Sequence, residues 1–245
     1  DLVNRDGKMA GGFCTSFPKY ERPHIFSNFN GTDHDVTVLT HEAGHAFQCY
    51  SSRKQPLIEY LWPTMEACEI HSMSMEFLTW PWMELFFRED KDKFLLKHVT
   101  DSLCFLPYGA CVDHFQHWVY ENPDVSPADR KVKWSELEKI YLPDRDYGDL
   151  EYPKSGGIWQ GQLHIYQMPF YYIDYTLAQT CAFQFWIKAD ENREQAWQDY
   201  LRLCKAGGSM PFTKLTELAH IKSPFIDGTL SEIATHVYKW LSSHS

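Results

Sequence analysis

The first chemical signal is the run His41-Glu42-Ala43-Gly44-His45. On an α-helix, positions i and i+4 lie about 40° apart around the axis, so both imidazoles can reach one ion. Glu42 sits one residue on, within reach of a water held by that ion but not itself a ligand. These are the parts a metal-assisted hydrolase needs. Zinc in such a site takes a third protein ligand and keeps a fourth position open. The extended HExxHxxGxxH pattern does not supply it, because Gln48 and Ser51 stand where its glycine and third histidine would be. The next helical stretch offers Glu66, Glu69 and Glu76, with His71 in reserve. Glu69 and Glu76 are seven apart and share a helix face, so either can meet the histidines while the other accepts from a histidine's second nitrogen. Spacing leaves that choice open.

A second group surrounds His164, which is followed by Tyr166, Tyr171, Tyr172 and Tyr175. It reads either as an aromatic core helix with hydroxyls at its edge or as a set of donors facing a developing oxyanion. His114 and His117, with Asp113, read as a solvated helix face. Glu42-x-x-His45 and Glu217-x-x-His220 together could also describe a di-iron carboxylate bundle. That reading leaves His41 without a task, and the chain lacks four long regular helices in suitable order.

These residues must be positioned by a chain of 245 residues, enough for one or two domains with about 70–75% of the unfolded surface buried. Hydrophobic residues make up 44% and charged residues 23%, which excludes wholesale disorder. Lys plus Arg number 23 against 33 for Asp plus Glu, so the net charge is 23 − 33 = −10 and nucleic acid is excluded as the main partner. The seven cysteines (14, 49, 68, 104, 111, 181, 204) contain no CxxC pair and read as reduced core thiols. No run reaches the roughly 18 apolar residues of a membrane span. Phe170 to Ile187 comes nearest, and Asp174, Gln179 and Gln184 make it a buried helix instead. The expectation is a soluble, cytoplasmic protein that does not bind membranes.

Residues 1–35 carry glycines, prolines and two aromatic runs, Phe13 to Phe17 and Ile25 to Phe29, and predict a β-hairpin or two short strands with Asn30-Gly31 as a turn. Residues 36–245 are helical. Asp35 or Thr37 caps a helix reaching about Ser51, and Pro63-Thr64 opens another reaching about Thr79. Further helices are expected over about 81–88, 92–117, 135–141, 167–188 and 193–206, with a small C-terminal pair ending near Trp240. Asn122 to Arg130 reads as a loop, and Leu142 to Gly161 as a long irregular segment. The fold class is mainly α with a small β element at the start.

His41-Glu42-Ala43-Gly44-His45-Ala46-Phe47, then Glu69-Ile70-His71-Ser72 and Glu76, resemble the active-site helices of the thimet oligopeptidase and oligoendopeptidase F family. Gly11-Gly12-Phe13-Cys14, Asn28-Phe29-Asn30-Gly31-Thr32 and Pro169-Phe170-Tyr171-Tyr172-Ile173-Asp174-Tyr175 resemble its oligoendopeptidase F branch. Ala43 departs from the Phe or Leu more usual there, at a position that packs and does not react. The resemblance implies a helical zincin-type catalytic domain over residues 1–245, with the β element of 1–35 lining the site. Its third zinc ligand lies 28 residues past the first histidine, and 69 − 41 = 28 selects Glu69, leaving Glu76 to hydrogen-bond a ligand. It implies one Zn2+ per chain on His41, His45 and Glu69, and a water on that zinc activated by Glu42 to cut short oligopeptides. It assigns His164, Tyr172 and Tyr175 to the oxyanion and the substrate. It also implies that the chain is the C-terminal half of a longer enzyme, whose N-terminal half would be a partner for the channel. The residues themselves suggest that Ile25 to Phe29 could pair with an extended substrate. A peptide-binding fragment without catalysis is the alternative.

Overall fold

The first aromatic run forms strand β1 (Phe13–Phe17), and β2 (Arg22–Phe26) returns antiparallel to it, with Phe13 opposite Phe26 and Phe17 opposite Arg22. The structure, a computed structural model, describes residues 1–244. The second strand lies earlier than the expected run of Ile25 to Phe29. Pro18 opens a single 3-10 turn over Pro18–Tyr20, and Glu21 takes a left-handed conformation to reverse the chain. Asn30-Gly31 serves a different bend. Their two amide N–H groups donate to the Asp35 carboxylate, at 2.9 and 2.6 Å, and Gly31 sits at φ +87° as the chain enters α1. The edge over residues 25–29 is already paired within the chain: Ser27 N–H donates to Asp1 O at 2.8 Å and Phe29 N–H to Leu2 O at 2.9 Å. A substrate strand therefore does not find that edge open.

Helix α1 spans Asp33–Ser52 with Thr32 at its N-cap, and α2 spans Met65–Leu78 with Thr64 at its N-cap. From Ala67 to Leu78 every residue of α2 is buried, as befits a helix packed on all sides. After a short α3 (Glu84–Phe87), the long α4 runs over Lys91–Glu121 with Pro107 inside it. Helix α5 (Pro127–Tyr141) starts eight residues before its expected beginning. Pro127 occupies its first turn, where a missing N–H costs nothing, and Ser126 and Asp129 form a reciprocal capping box. The stretch expected to be irregular holds a single turn, α6 (Glu151–Lys154), and a 3-10 turn at Ile158–Gly161, followed by α7 (His164–Gln167).

Helix α8 spans Tyr172–Ala206, kinked at a non-helical Asn192, where two helices starting near 167 and 193 were expected. Its start is delayed because Phe170 adopts φ +65°, which breaks any helix through it. Helices α9 (Phe212–Leu218) and α10 (Thr229–His244) complete the chain.

The chain forms two compact units, one of Asp1–Val99 with Leu177–Ser245 and one of Thr100–Thr176. In the first, α8 secures α2 from the side. Tyr200 O–H donates to His71 O at 2.8 Å, and Arg193 Nη2 donates to Leu78 O at 2.6 Å, supplying a donor to the end of α2. In the second, Cys111, Val112, Phe115, Trp134, Leu137, Trp159 and Tyr172 form the core. All seven cysteines are free, but only five are buried. Cys14 is half-buried and Cys104 exposed, correcting the expectation of core thiols throughout. Among the described residues, no helix is long and apolar enough to cross a membrane.

Candidate metal centre

One close approach positions the site. A Cβ added to Gly44 would lie 2.5 Å from His71 O and 2.6 Å from Ser72 Cα, so the absence of a side chain lets α1 touch the backbone of α2. The crossing turns one face of α2 onto His41 and His45. Glu69 Oε2 lies 3.2 Å from His41 Nε2 and 3.4 Å from His45 Nε2. These three residues offer ligand atoms within 4.8 Å of one another, the only such group among the described residues.

Each candidate for the third position now has a definite place. Glu66 stays near its own helix start, where Thr64 Oγ1 donates to it at 2.9 Å. His71 is wholly buried with both ring nitrogens unpartnered and its ring 6.3 Å from that of Tyr200; burial pushes its pKa down to about 4 and keeps it neutral. Glu76 accepts from His41 Nδ1 at 2.7 Å, which leaves that ring's Nε2 to face Glu69. Ser72 Oγ donates to Glu69 Oε2 at 2.9 Å. Burial opposes the charge of both carboxylates. Hydrogen bonds from His41 and His45 outweigh it at Glu69 and hold its pKa well below the usual range, and bonds from His41 and His98 lower that of Glu76. Burial also opposes a charge on His41, yet Glu69 and Glu76 hold its pKa well above the ordinary value.

Glu42 is buried beside this group, and its Oε2 has no hydrogen-bond partner. Burial raises its pKa, His41 and His45 draw it down, and Glu69 and Glu76 push it up again. Gly12, beside β1, packs against it: a Cβ there would lie 3.5 Å from Glu42 Oε1. The start of the hairpin thus lies against the carboxylate. Two imidazole nitrogens and one carboxylate oxygen are the donor set of a catalytic zinc with an open position, and an unpartnered buried base beside them is what a water there would engage. The residues fit that ion.

Sequence reasoning missed His98 and Trp80. His98 Nε2 meets Glu76 Oε2 at 2.8 Å, and Trp80 Nε1 donates to His98 Nδ1 at 3.2 Å. No spacing rule links position 98 to a motif at 41, so only the packing of α4 on α2 reveals it.

In the second unit, His164 lies on α7, with Gln162 Nε2 2.7 Å from its Nδ1, while Tyr108 O–H donates to Gln162 Oε1 at 3.0 Å. The rings of Tyr172 and Tyr175 stand 5.1 and 5.8 Å from that of His164, so the three residues do gather, and burial raises the Tyr172 pKa. Of the rival ExxH pair, Glu217 is bound by Lys214 at 2.8 Å and His220 Nδ1 faces Asp199 at 3.1 Å. His114 Nδ1 meets Tyr141 Oη at 3.1 Å, and His117 pairs with Asp113 on an exposed face.

A family described as peptidase family M3 matches residues 1–235. The chain is 25% identical over 222 residues to an oligoendopeptidase F homolog of Borreliella burgdorferi (strain B31), covering 85% of this chain and 36% of that protein. A crystal structure of an oligoendopeptidase F candidate superposes with a TM-score of 0.96 at 61% identity, over 99% of this chain and 43% of the other. A structure of PZ peptidase A with an inhibitor superposes with a TM-score of 0.96 at 56% identity, over 100% of this chain and 44% of the other. The chain thus spans about two fifths of the length of these relatives.

Proposed function

The chain belongs to peptidase family M3, and on that premise we propose that it is the catalytic part of a zinc-dependent endopeptidase cutting short oligopeptides. The observation that carries this reading is Glu42, a buried carboxylate with an unpartnered oxygen beside the His41, His45 and Glu69 group. Zinc held by those three residues would act as a Lewis acid and make water acidic enough to lose a proton near neutrality. Glu42 takes that proton at its free Oε2 as water attacks the scissile carbonyl, then passes it to the departing amine. Its raised pKa suits the first task, since a more basic carboxylate takes up a proton more readily. Glu76 holds the His41 ring through Nδ1.

His164, Tyr172 and Tyr175 are the proposed donors to the oxyanion and the substrate. Such a donor is typically worth about 3–4 kcal/mol of barrier. The rest of a longer protein is the proposed partner that completes the substrate channel. Seven free thiols favour the cytoplasm as the working compartment.

The test pairs elemental analysis with turnover of a quenched fluorescent peptide. Wild-type protein is expected to hold close to one zinc per chain. Glu69→Ala is expected to lose the metal. Glu42→Gln is expected to keep it while kcat falls by about 10²–10⁴-fold. Metal-free wild type, or a fully active Glu42→Gln, would refute the reading.

A further inference from the structure

Beyond Glu76 the hydrogen-bonded chain continues, and its direction can be worked out atom by atom. The indole Nε1–H of Trp80 can only donate, and it donates to His98 Nδ1 at 3.2 Å. His98 Nδ1 is therefore the unprotonated nitrogen of its ring. Its proton sits on Nε2 and is donated to Glu76 Oε2 at 2.8 Å. The other oxygen of Glu76 accepts from His41 Nδ1 at 2.7 Å. Glu76 is thus gripped on both oxygens, and the tautomer of His98 is set by a tryptophan more than ten residues away in sequence.

The two metal-binding histidines differ in this respect. His45 Nδ1 is buried and has no hydrogen-bond partner, so on that side packing orients the ring, which stands 6.4 Å from that of Trp62. Of the two, only His41 has a carboxylate on its Nδ1. The precision of that carboxylate depends on His98, which is buried between Phe77 at 4.7 Å and Phe94 at 5.8 Å. Trp80 is in turn packed among Phe77, Trp186 and Trp240.

We propose that His98, held in one tautomer by Trp80, is a positioning residue that locks Glu76 and through it the His41 ring, so that it sets zinc affinity without touching metal or substrate. The inference rests on the zinc reading above. Partners of this kind, one bond beyond the ligands, typically change metal affinity by about 10–100-fold. His98 sits one bond further out, so the lower end of that range is expected.

The experiment measures zinc dissociation constants by competition with a chromogenic chelator at fixed pH on the full-length protein. It also measures melting temperatures of the metal-free forms, and kcat and KM at saturating zinc. His98→Phe keeps the aromatic packing and removes the N–H to Glu76. It is expected to weaken zinc about 10-fold and to lower kcat with KM unchanged. His98→Gln can still donate to Glu76 while accepting from Trp80, and it is expected to restore affinity to within about 3-fold of wild type. Trp80→Phe frees the tautomer and is expected to fall between them. Unchanged affinity in His98→Phe would overturn the proposal. Equal losses in His98→Phe and His98→Gln, tracking a lower melting temperature of the metal-free protein, would also overturn it by showing a packing role. Wild-type protein that binds no zinc would instead refute the reading on which the proposal rests.

Discussion

Glu69 and Glu76 are carboxylates in the interior of a buried helix, a placement that costs several kcal/mol per charge unless each charge is answered. Each is answered by imidazole, and this is why the site stands out from ordinary ion pairs. Asp199 shows the structural version of the same problem. It is buried, and its carboxylate accepts from Lys188 at 2.5 Å, Arg202 at 2.8 Å and Gln195 at 3.0 Å. Burial opposes its charge, but the Lys188 bond and its neighbours hold its pKa below the usual value of 3.8. A depressed carboxylate contributes stability above the unfolded-state pKa, and that contribution is lost as pH falls through the folded-state value. Asp199→Asn is therefore expected to cost about 2 kcal/mol at neutral pH. The variant should also lose less further stability than wild type between pH 4 and pH 2. Urea unfolding at several pH values checks both, and parallel pH profiles would contradict the assignment.

At the scale of elements, the site depends on how closely α1 and α2 cross. Gly44 stands inside the HExxH run, where its residue type is free as far as metal chemistry goes, yet its contact with the α2 backbone leaves no room for a methyl group. Gly44→Ala is expected to push the helices apart, costing about 1–3 kcal/mol. Glu69 would be drawn away from the histidines, so zinc affinity should fall along with stability. Calorimetry and chelator competition on the same sample test this, and a variant with wild-type affinity would show that the helices have slack. Element boundaries were legible wherever local chemistry ruled, as at Thr64 before α2. They were misjudged where a local signal had two uses. Pro127 opens a helix instead of marking a loop.

At the scale of the molecule, all three proposed ligands belong to the unit of Asp1–Val99 and Leu177–Ser245. Binding to the folded form alone stabilises it by about 2.7 kcal/mol at a free ligand concentration one hundred times the dissociation constant. For a chain of this size that corresponds to roughly 5–10 °C in melting temperature. Zinc added to metal-free protein is expected to raise the calorimetric midpoint by that amount. The same addition to Glu69→Ala should raise it by little or nothing, and equal shifts in both would point to zinc binding elsewhere.

The two histidines and Glu42 lie within five consecutive residues, so helical geometry alone puts them in register and no distant contact is needed to recognise them. The mainly helical class was legible for the same reason, since capping and apolar spacing act over a few residues. The third ligand was another matter. Spacing left Glu66, Glu69, Glu76 and His71 open and resemblance chose Glu69, whose carboxylate the helix crossing at Gly44 brings to both rings. The grip of His98 and Trp80 on Glu76 had no trace in the sequence. Hydrogen bonds between side chains on different helices depend on crossing angle and packing depth, which are set by the whole fold and not by the neighbours of any one residue.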